Sequence, residues 1–358
     1  MNRSIVYIVL LALLSVGCAN RGAGPQGGKQ DSIPPTVVSS VPLNGTTDFH
    51  GKEIQIRFDE YLKLDNPSGQ VLVSPPQQAQ PIVKAVGKTL SVTLNDSLVP
   101  ETTYSIYFGS AIQDLNESNP LKDYTFTFST GPHIDSLTIS GRVWFAQSRK
   151  LGVGTTVGIY SVDAPDSALY HQPFLRIART DTTGRFTIRH VRAGTYRVYA
   201  LQDSNRTYTY QRGEPVAFLD TPVVAPANDL TLNLFVEERN DTLFRTDTVD
   251  SMATATLRVR LVPFIPHAVL QLLTPKDETV ATLWATDSAG VRFEHIKGGQ
   301  YLLRMVLDAN QDSLWNTGDV MQHRQAENVY YFPKQLRIRD NWDFEETFRW
   351  QDESNRPY

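Results

Sequence analysis

The chain has 358 residues and a formal net charge of −4 at pH 7, because 38 Asp and Glu residues outnumber 34 Lys and Arg residues. Charges of both signs are mixed along the sequence without a basic stripe, so we do not expect a nucleic acid partner. Hydrophobic residues make up 41% of the chain, as in globular domains, and the single cysteine excludes an internal disulfide. At this length, about three domains of ordinary size are expected.

The N-terminus has the features of an export signal. Arg3 supplies a positive charge, residues 5–16 are almost entirely apolar, and Gly17 and Cys18 follow. The apolar run is shorter than the roughly 20 residues that a membrane-spanning helix needs. The segment resembles a bacterial lipoprotein signal peptide, whose lipobox ends in Gly-Cys. This resemblance implies that residues 1–17 are removed and that Cys18 carries the lipid. An uncleaved anchor and a secreted protein with an unused thiol are the alternatives.

A lipid on Cys18 would fix the chain to a membrane. Each buried acyl methylene contributes about 0.8 kcal/mol, so two or three acyl chains give essentially permanent attachment. Residues 18–34 contain four glycines among polar residues and cannot bury a core, so we expect a flexible tether. The tether would hold the first domain away from the lipid surface.

Residues 35–131 contain short runs with alternating apolar and polar side chains, separated by Gly, Pro and Asn turn signals. This pattern predicts strands that bury one face, and strands at such spacing are typical of a β-sandwich. The predicted strands cover residues 54–58, 71–73, 90–94, 103–108 and 124–128.

Four segments of this region resemble the SbsA-type bacterial Ig-like domain: residues 34–42, 56–60, 98–104 and 126–131. The resemblance implies a β-sandwich and supplies no catalytic residues. A Gly-rich leader before Pro-Pro, followed by this domain, also resembles envelope lipoproteins of the Bacteroidota. That resemblance implies an outer-membrane lipoprotein and leaves open whether it faces the periplasm or the cell surface.

The remaining chain contains one pattern twice. Residues 180–186 and 194–198 resemble the carboxypeptidase-regulatory or transthyretin-like β-sandwich, in which a turn leads into a strand and then Gly-x-Tyr. The same landmarks recur at residues 286–293 and 299–303. We therefore predict an all-β chain of three tandem β-sandwich domains. The second and third sandwiches would cover residues 137–237 and 252–350, with a polar linker at 238–251 and a C-terminal tail at 351–358.

One loop of the third predicted sandwich has the spacing of a calcium site. Six residues occupy positions 1, 3, 5, 7, 9 and 12 of an acidic loop, from which an EF-hand draws its oxygen ligands: Asp308, Asn310, Asp312, Leu314, Asn316 and Asp319. The alternative is a hairpin loop that uses Asp and Asn for turn formation. The equivalent loop at residues 203–214 has fewer carboxylates and is a weaker candidate. Calcium is the one cofactor that the sequence suggests.

Asp followed by Ser or Thr and then by Thr or an apolar residue occurs ten times in the chain. The motif resembles the O-glycosylation acceptor of exported Bacteroidota proteins. Three acceptors lie in the predicted linker, and we predict glycans there: Thr242, Thr248 and Ser251. Turn formation by Asp-Ser and Asp-Thr is the alternative.

No nucleophile elbow, zinc-binding histidine pair or phosphate-binding loop occurs in the sequence. We therefore predict a non-enzymatic envelope lipoprotein that acts as a structural, adhesive or protein-interaction module, with the membrane and an envelope protein or glycan as partners. One alternative is a carbohydrate-binding accessory protein that uses aromatic side chains near the C-terminus: Trp315, Tyr330, Tyr331, Trp342 and Trp350. Another is a hydrolase with dispersed carboxylates, for example Asp59 with Glu60, or Asp114 with Glu117.

Overall fold

The structure is a computed structural model, and it describes residues 31–237, 240–243 and 253–351. The signal peptide with Cys18, most of the predicted tether, Thr248 and Ser251 lie outside these ranges. Helix in the described ranges is limited to two four-residue segments, α1 (Pro67–Gln70) and α2 (Ala168–His171). None of the helices in this part of the chain is long and apolar enough to cross a membrane. The predicted all-β fold class with tandem sandwiches is confirmed.

The first sandwich buries one face of each sheet, as the alternating sequence predicts. In its second strand, Ile54, Ile56 and Phe58 are buried while the residues between them are exposed. The sheets have the orders β1-β2-β6-β5, β4-β7-β9 and β3-β8. The strands are β1 (Val37–Val41), β2 (Glu53–Phe58), β3 (Leu62–Leu64), β4 (Leu72–Ser74), β5 (Ile82–Val86), β6 (Thr89–Thr93), β7 (Thr103–Tyr107), β8 (Ile112–Asp114) and β9 (Thr125–Ser129).

The second sandwich combines a three-stranded sheet, β13-β10-β17, with a larger sheet, β12-β11-β14-β15, in which β16 also pairs with β14. Strand β10 pairs antiparallel with β13 and parallel with β17. The strands are β10 (Leu137–Phe145), β11 (Thr156–Ser161), β12 (Arg176–Arg179), β13 (Arg185–Val191), β14 (Thr195–Leu201), β15 (Val216–Phe218), β16 (Val223–Val224) and β17 (Ala227–Leu234).

The third sandwich repeats this topology. Its sheets are β22-β19-β27 and β21-β20-β23-β25, with β26 also pairing with β23, and β19 pairs parallel with β27. The remaining strands are β18 (Asp241–Thr242), β19 (Ala255–Leu261), β20 (Ala268–Leu273), β21 (Thr279–Trp284), β22 (Val291–Ile296), β23 (Gly299–Leu307), β24 (Leu314–Trp315), β25 (Val329–Tyr331), β26 (Leu336–Ile338) and β27 (Asp343–Phe348).

The turn that the sequence repeats has the same structural role in both sandwiches. Gly184 and Gly290 have φ angles of +71° and +104°, in the left-handed region that glycine adopts most readily. A Cβ atom at Gly184 would lie 2.9 Å from the Val143 carbonyl oxygen, and one at Gly290 would lie 2.7 Å from that of Val259. Close approach of the central strand therefore requires glycine at both turns.

The first and second sandwiches meet around Arg176 of β12. This side chain is buried, and its guanidinium donates hydrogen bonds to the carbonyl oxygens of Ser74 and Thr103 in the first sandwich. It also lies 3.7 Å from a carboxylate oxygen of Asp135. Burial lowers the pKa of Arg176 to about 10, although the Asp135 charge opposes that shift. The guanidinium remains charged at neutral pH and connects the two sandwiches.

The second and third sandwiches share an apolar core, which includes Tyr199 and Phe218 from one side and Val269 and Val306 from the other. Leu243 belongs to this core and is only 3% exposed. Its segment lies in the predicted linker 238–251 and joins the two sandwiches as expected. The described part of that linker, residues 240–243, is packed, because β18 pairs antiparallel with β24.

Candidate functional site

The acidic loop of the third sandwich begins at Asp308, which is fully buried at the end of β23. One carboxylate oxygen of Asp308 accepts a hydrogen bond from the Asp312 amide at 3.2 Å, and the other accepts one from the Ser313 amide at 2.9 Å. The backbone φ angles of Gln311 and Ser313 are +59° and +63°. Asp308 therefore holds a tight turn in which two residues adopt left-handed conformations.

Asp312 lies at the centre of this turn. Its Oδ1 accepts the Leu314 amide at 2.8 Å, and its Oδ2 accepts the side-chain amides of Asn310 and Asn316, each at 2.9 Å. Burial acts to raise the pKa of Asp312, but these hydrogen bonds outweigh it and lower the pKa. The carboxylate is therefore stabilised in its charged form by the loop itself.

The structure places Asp319 in a different turn from the other predicted ligands. Its carboxylate accepts the Gln322 amide at 2.9 Å, and its backbone pairs with Arg324. Glu327 approaches the acidic loop instead, and its two oxygens accept the amides of Ala309 and Asn316 at 3.2 and 3.0 Å. Burial and the nearby charges of the acidic loop raise the pKa of Glu327. Nothing in the sequence indicates this contact, because Glu327 lies beyond the spacing of a calcium loop.

Calcium binding by this loop stays a prediction. Across the ranges that the structure describes, no group of three or more His, Cys, Asp and Glu side chains is arranged to hold a metal ion. The turn alone accounts for the hydrogen bonds that the carboxylates of Asp308 and Asp312 accept.

The equivalent loop of the second sandwich has the same backbone turn. Asp203 accepts the amides of Thr207 and Tyr208 at 3.1 and 2.8 Å. Positive φ angles occur at Arg206 and Tyr208, at the same positions as in the acidic loop. A turn held by Asp and Asn is therefore a common feature of the repeat, whereas the additional carboxylate of Asp312 belongs to the third sandwich alone.

The aromatic side chains that were predicted to line a glycan-binding surface have different environments. Trp315 is buried in the shared core, and its Nε1 donates to the Glu327 carbonyl oxygen at 3.0 Å. Trp350 packs edge-on against Tyr330 with their centroids 5.1 Å apart. Tyr331 is half-buried and lies close to Arg304. Trp342 differs from them because 56% of it is exposed.

Trp342 forms a small exposed platform at the start of β27. It stacks against Phe344 with a centroid separation of 6.4 Å, and the Arg339 guanidinium lies 5.6 Å from its ring. An exposed indole flanked by a cation can stack on a planar or sugar face. This is the part of the predicted aromatic surface that remains accessible.

The carboxylates of the dispersed-acid alternative have structural partners. Asp114 is buried and accepts the amides of Glu117, Ser118 and Asn119 at 2.6, 2.9 and 2.8 Å. Burial acts to raise the pKa of Asp114, but these backbone hydrogen bonds outweigh it and lower the pKa. Glu60 has a raised pKa, because of burial first and the Asp114 charge second. The hydrogen bonds of Asp114 are used to shape a turn.

Among the predicted glycosylation sites, the structure describes only Thr242. Its side chain is exposed on β18, beside the buried Leu243. An exposed hydroxyl is available for modification, whereas Thr248 and Ser251 lie outside the described residues. O-glycosylation stays a prediction at all three.

Comparison with protein families identifies the first sandwich. Residues 31–130 match the family described as bacterial Ig-like domain, which confirms that prediction. Residues 177–218 match the family described as polysaccharide lyase family 4, domain II. The carboxypeptidase-regulatory resemblance of the two later sandwiches stays a prediction. No curated protein matches the chain significantly.

Several solved structures are similar to parts of the chain. The N-terminal part of the bacterial S-layer protein SbsC shares 14% identity over 55% of this chain and 45% of its own, with a TM-score of 0.21. The Bacillus anthracis TIE protein shares 10% identity over 97% and 62%, with a TM-score of 0.18. An L,D-transpeptidase from Mycobacterium smegmatis shares 12% over 46% and 79%, with a TM-score of 0.19. The chain spans about half of the SbsC fragment, and scores this low support no transfer of function.

Proposed function

We propose that this chain is a non-enzymatic lipoprotein of the cell envelope that acts as a structural or interaction module. The bacterial Ig-like match of residues 31–130 supports the structural role, and neither family match supplies a catalytic motif in this sequence. The proposed anchor is a lipid on Cys18, at the end of a signal-like segment. The outer membrane is the proposed location.

One observation carries this proposal: both junctions between the sandwiches are buried. Arg176 connects the first sandwich to the second, and the apolar core around Leu243 joins the second to the third. Buried junctions restrict motion between domains, whereas small polar interfaces permit it. A stiff body on a lipid anchor is suited to presenting a surface at a fixed distance from the membrane.

The proposal is tested by fractionation and cross-linking in the native host. We expect the wild-type chain in the outer-membrane fraction, cross-linked reproducibly to the same envelope component. A Cys18→Ala variant should leave the membrane fraction and lose that cross-link, because only the acyl chains hold the protein at the bilayer. Equal membrane association of both proteins would contradict the anchor, and purification without any envelope neighbour would contradict the interaction role.

Carbohydrate binding is the second candidate function. Two observations favour it: the match of residues 177–218 to a domain of a polysaccharide lyase family, and the exposed platform of Trp342 and Phe344. Glycan-array binding that is lost in Trp342→Ala would support this role for the platform. Binding that persists in that variant would assign the glycan to another surface.

A further inference from the structure

A cleft of about 420 Å³ lies between the first and second sandwiches. Its lining includes three apolar side chains, Leu72, Ile177 and Phe186, which are buried in the surrounding cores. Clefts with an apolar floor and a few convergent polar groups are the usual form of a ligand site.

The second sandwich contributes cations to this cleft. Along β13, Phe186 and Ile188 are buried, whereas Arg185, Thr187 and Arg189 alternate with them and are exposed. All three exposed residues line the cleft. Four residues along a strand, at about 3.3 Å each, separate the two arginine Cα atoms by about 13 Å. The two guanidinium groups are therefore spaced for an extended anionic chain rather than for one small ion.

These two arginines are available to a ligand. Within the part of the chain that the structure describes, no ion pair joins Arg185 or Arg189 to a carboxylate. Arg179 also lines the cleft, but its guanidinium is already bonded to the Gly69 carbonyl oxygen at 2.7 Å. It supplies a fixed positive charge, while the other two retain free donors.

The carboxylates of the cleft already accept hydrogen bonds from the protein. Asp123 accepts the Tyr107 hydroxyl at 2.7 Å. Asp181 accepts both the amide and the hydroxyl of Thr183 at 2.7 Å and the Arg185 amide at 3.0 Å. They therefore shape the walls of the cleft and leave the exposed guanidinium groups unpaired.

The wall formed by the first sandwich offers hydroxyl groups. Ser105 and Tyr107 lie on β7, and Thr125 lies opposite Tyr107 on β9. Since β7 is paired on both sides, by β4 and β9, it presents no free strand edge to a peptide. Side-chain hydroxyls above an apolar floor match the hydroxyl groups and the C–H face of a sugar ring.

We propose that this cleft binds a linear acidic polysaccharide. Arg185 and Arg189 bind carboxylates of the polymer, since guanidinium groups pair with carboxylates through two parallel hydrogen bonds. Ser105, Thr125 and Thr187 hydrogen-bond to sugar hydroxyls. This inference gives a ligand class to the interaction module and rests on that proposed function.

The test measures binding of alginate, a linear polyuronate, to the full chain purified in detergent. We expect the Arg185→Gln/Arg189→Gln double variant to bind about tenfold more weakly than the wild type, because it loses charge-assisted hydrogen bonds. Arg292→Gln is the matched control: Arg292 is an exposed arginine on β22, the equivalent strand of the third sandwich, and Glu294 pairs with it at 3.4 Å. This control should bind alginate as the wild type does.

Further arms separate the alternatives. Neutral dextran should not bind, and added salt should weaken alginate binding by screening the charges. The Arg185→Lys/Arg189→Lys variant keeps the charges and should bind with intermediate affinity, so a folding defect in the glutamine variant does not block the test. Absence of alginate binding, equal loss in Arg292→Gln, or equally tight binding of poly-glutamate would overturn the proposal. Failure here with Cys18-dependent membrane association intact would remove the ligand class but not the envelope module.

Discussion

Arg176 is the residue whose chemistry matters most at the first junction. Burial of a guanidinium is unfavourable unless its donors are satisfied, and here they are satisfied by two carbonyl oxygens and Asp135. The carboxylate is shared with Arg192, which lies 3.2 Å from it on the surface. One carboxylate therefore has a buried partner and an exposed partner.

We expect Arg176→Ala to destabilise the protein by about 3 kcal/mol, because it leaves the Asp135 carboxylate and two carbonyl groups without their buried partner. Urea unfolding measures this change. Arg192→Ala removes the exposed partner of the same carboxylate and should cost less than about 1 kcal/mol. Similar losses in the two variants would contradict a buried electrostatic junction.

Asp114 predicts a dependence of stability on pH. Its pKa in the folded protein is lowered, because hydrogen bonds from three amides outweigh burial. Its contribution to stability is therefore complete above pH 3.8, the usual pKa of an aspartate, and is lost as the pH falls through the lower folded value. Asp114→Asn should destabilise the protein by about 2 kcal/mol at pH 7, with a smaller difference below pH 3.8.

Urea unfolding of wild type and Asp114→Asn at pH 7 and in acid tests this expectation. Glu117→Gln is the control, since Glu117 is exposed and contributes its amide rather than its carboxylate to the turn. A difference between wild type and Asp114→Asn that is independent of pH would indicate that the charge of Asp114 is not involved.

Among the structural elements, the strap formed by residues 240–243 has the most specific contacts. Its Leu243 carbonyl oxygen accepts hydrogen bonds from the Gln271 side-chain amide at 2.8 Å and the Thr282 hydroxyl at 3.1 Å. Gln271 is itself buried and accepts two hydrogen bonds from Arg304. The strap therefore satisfies a buried polar network as well as filling the shared core.

We expect Leu243→Ala to cost about 3 kcal/mol of folding free energy, as for other fully buried leucines. Thr242→Ala is the adjacent control and should change the stability little, because the Thr242 side chain is exposed. Thermal unfolding of both variants separates a packed strap from a passive linker. Equal melting temperatures for wild type and Leu243→Ala would exclude the packed strap.

The acidic loop is the element in which two alternatives remain open. Calcium ligation predicts a melting temperature that rises with added calcium and falls with chelator, and Asp312→Asn should abolish this response because it removes a carboxylate. Turn formation alone predicts that neither calcium nor chelator changes the melting temperature. Thermal unfolding of the two proteins in calcium and in chelator distinguishes the alternatives.

The shared core has a consequence for the molecule as a whole. Tyr199 and Phe218 of the second sandwich pack in the same cluster as Val269 and Val306 of the third. We therefore expect the second and third sandwiches to unfold in one cooperative transition, and a chain ending at residue 237 to lose stability by exposing this core. Calorimetry of the full and shortened chains measures both. Two separate transitions for these sandwiches would contradict the shared core.

The sequence predicts the inside of each sandwich better than the contacts between sandwiches. Alternation in residues 54–58 correctly predicts the buried Ile54, Ile56 and Phe58, because period-two patterning depends on the strand alone. Arg176 could not be identified as buried, since an arginine beginning a short strand is usually exposed. Leu243 lies among polar residues, and only the structure shows the core that receives it. Both contacts depend on partners that are distant in the sequence.

The same limit applies to the candidate sites. Spacing correctly brought Asp308, Asn310, Asp312 and Asn316 into one loop, but it also included Asp319, which belongs to another turn. The cleft containing Arg185 and Arg189 has walls from two sandwiches, so no local motif could predict it. Local patterns predict turns, whereas a cleft between domains requires the packing of the whole chain.

The most direct test of the central claim is the mass of the mature N-terminus from natively expressed protein. The account predicts a chain that begins at Cys18 and carries the mass of a diacylglyceryl group, with or without a third acyl chain. A mature chain that still begins at Met1, or an unmodified Cys18, would contradict an envelope module held by lipid.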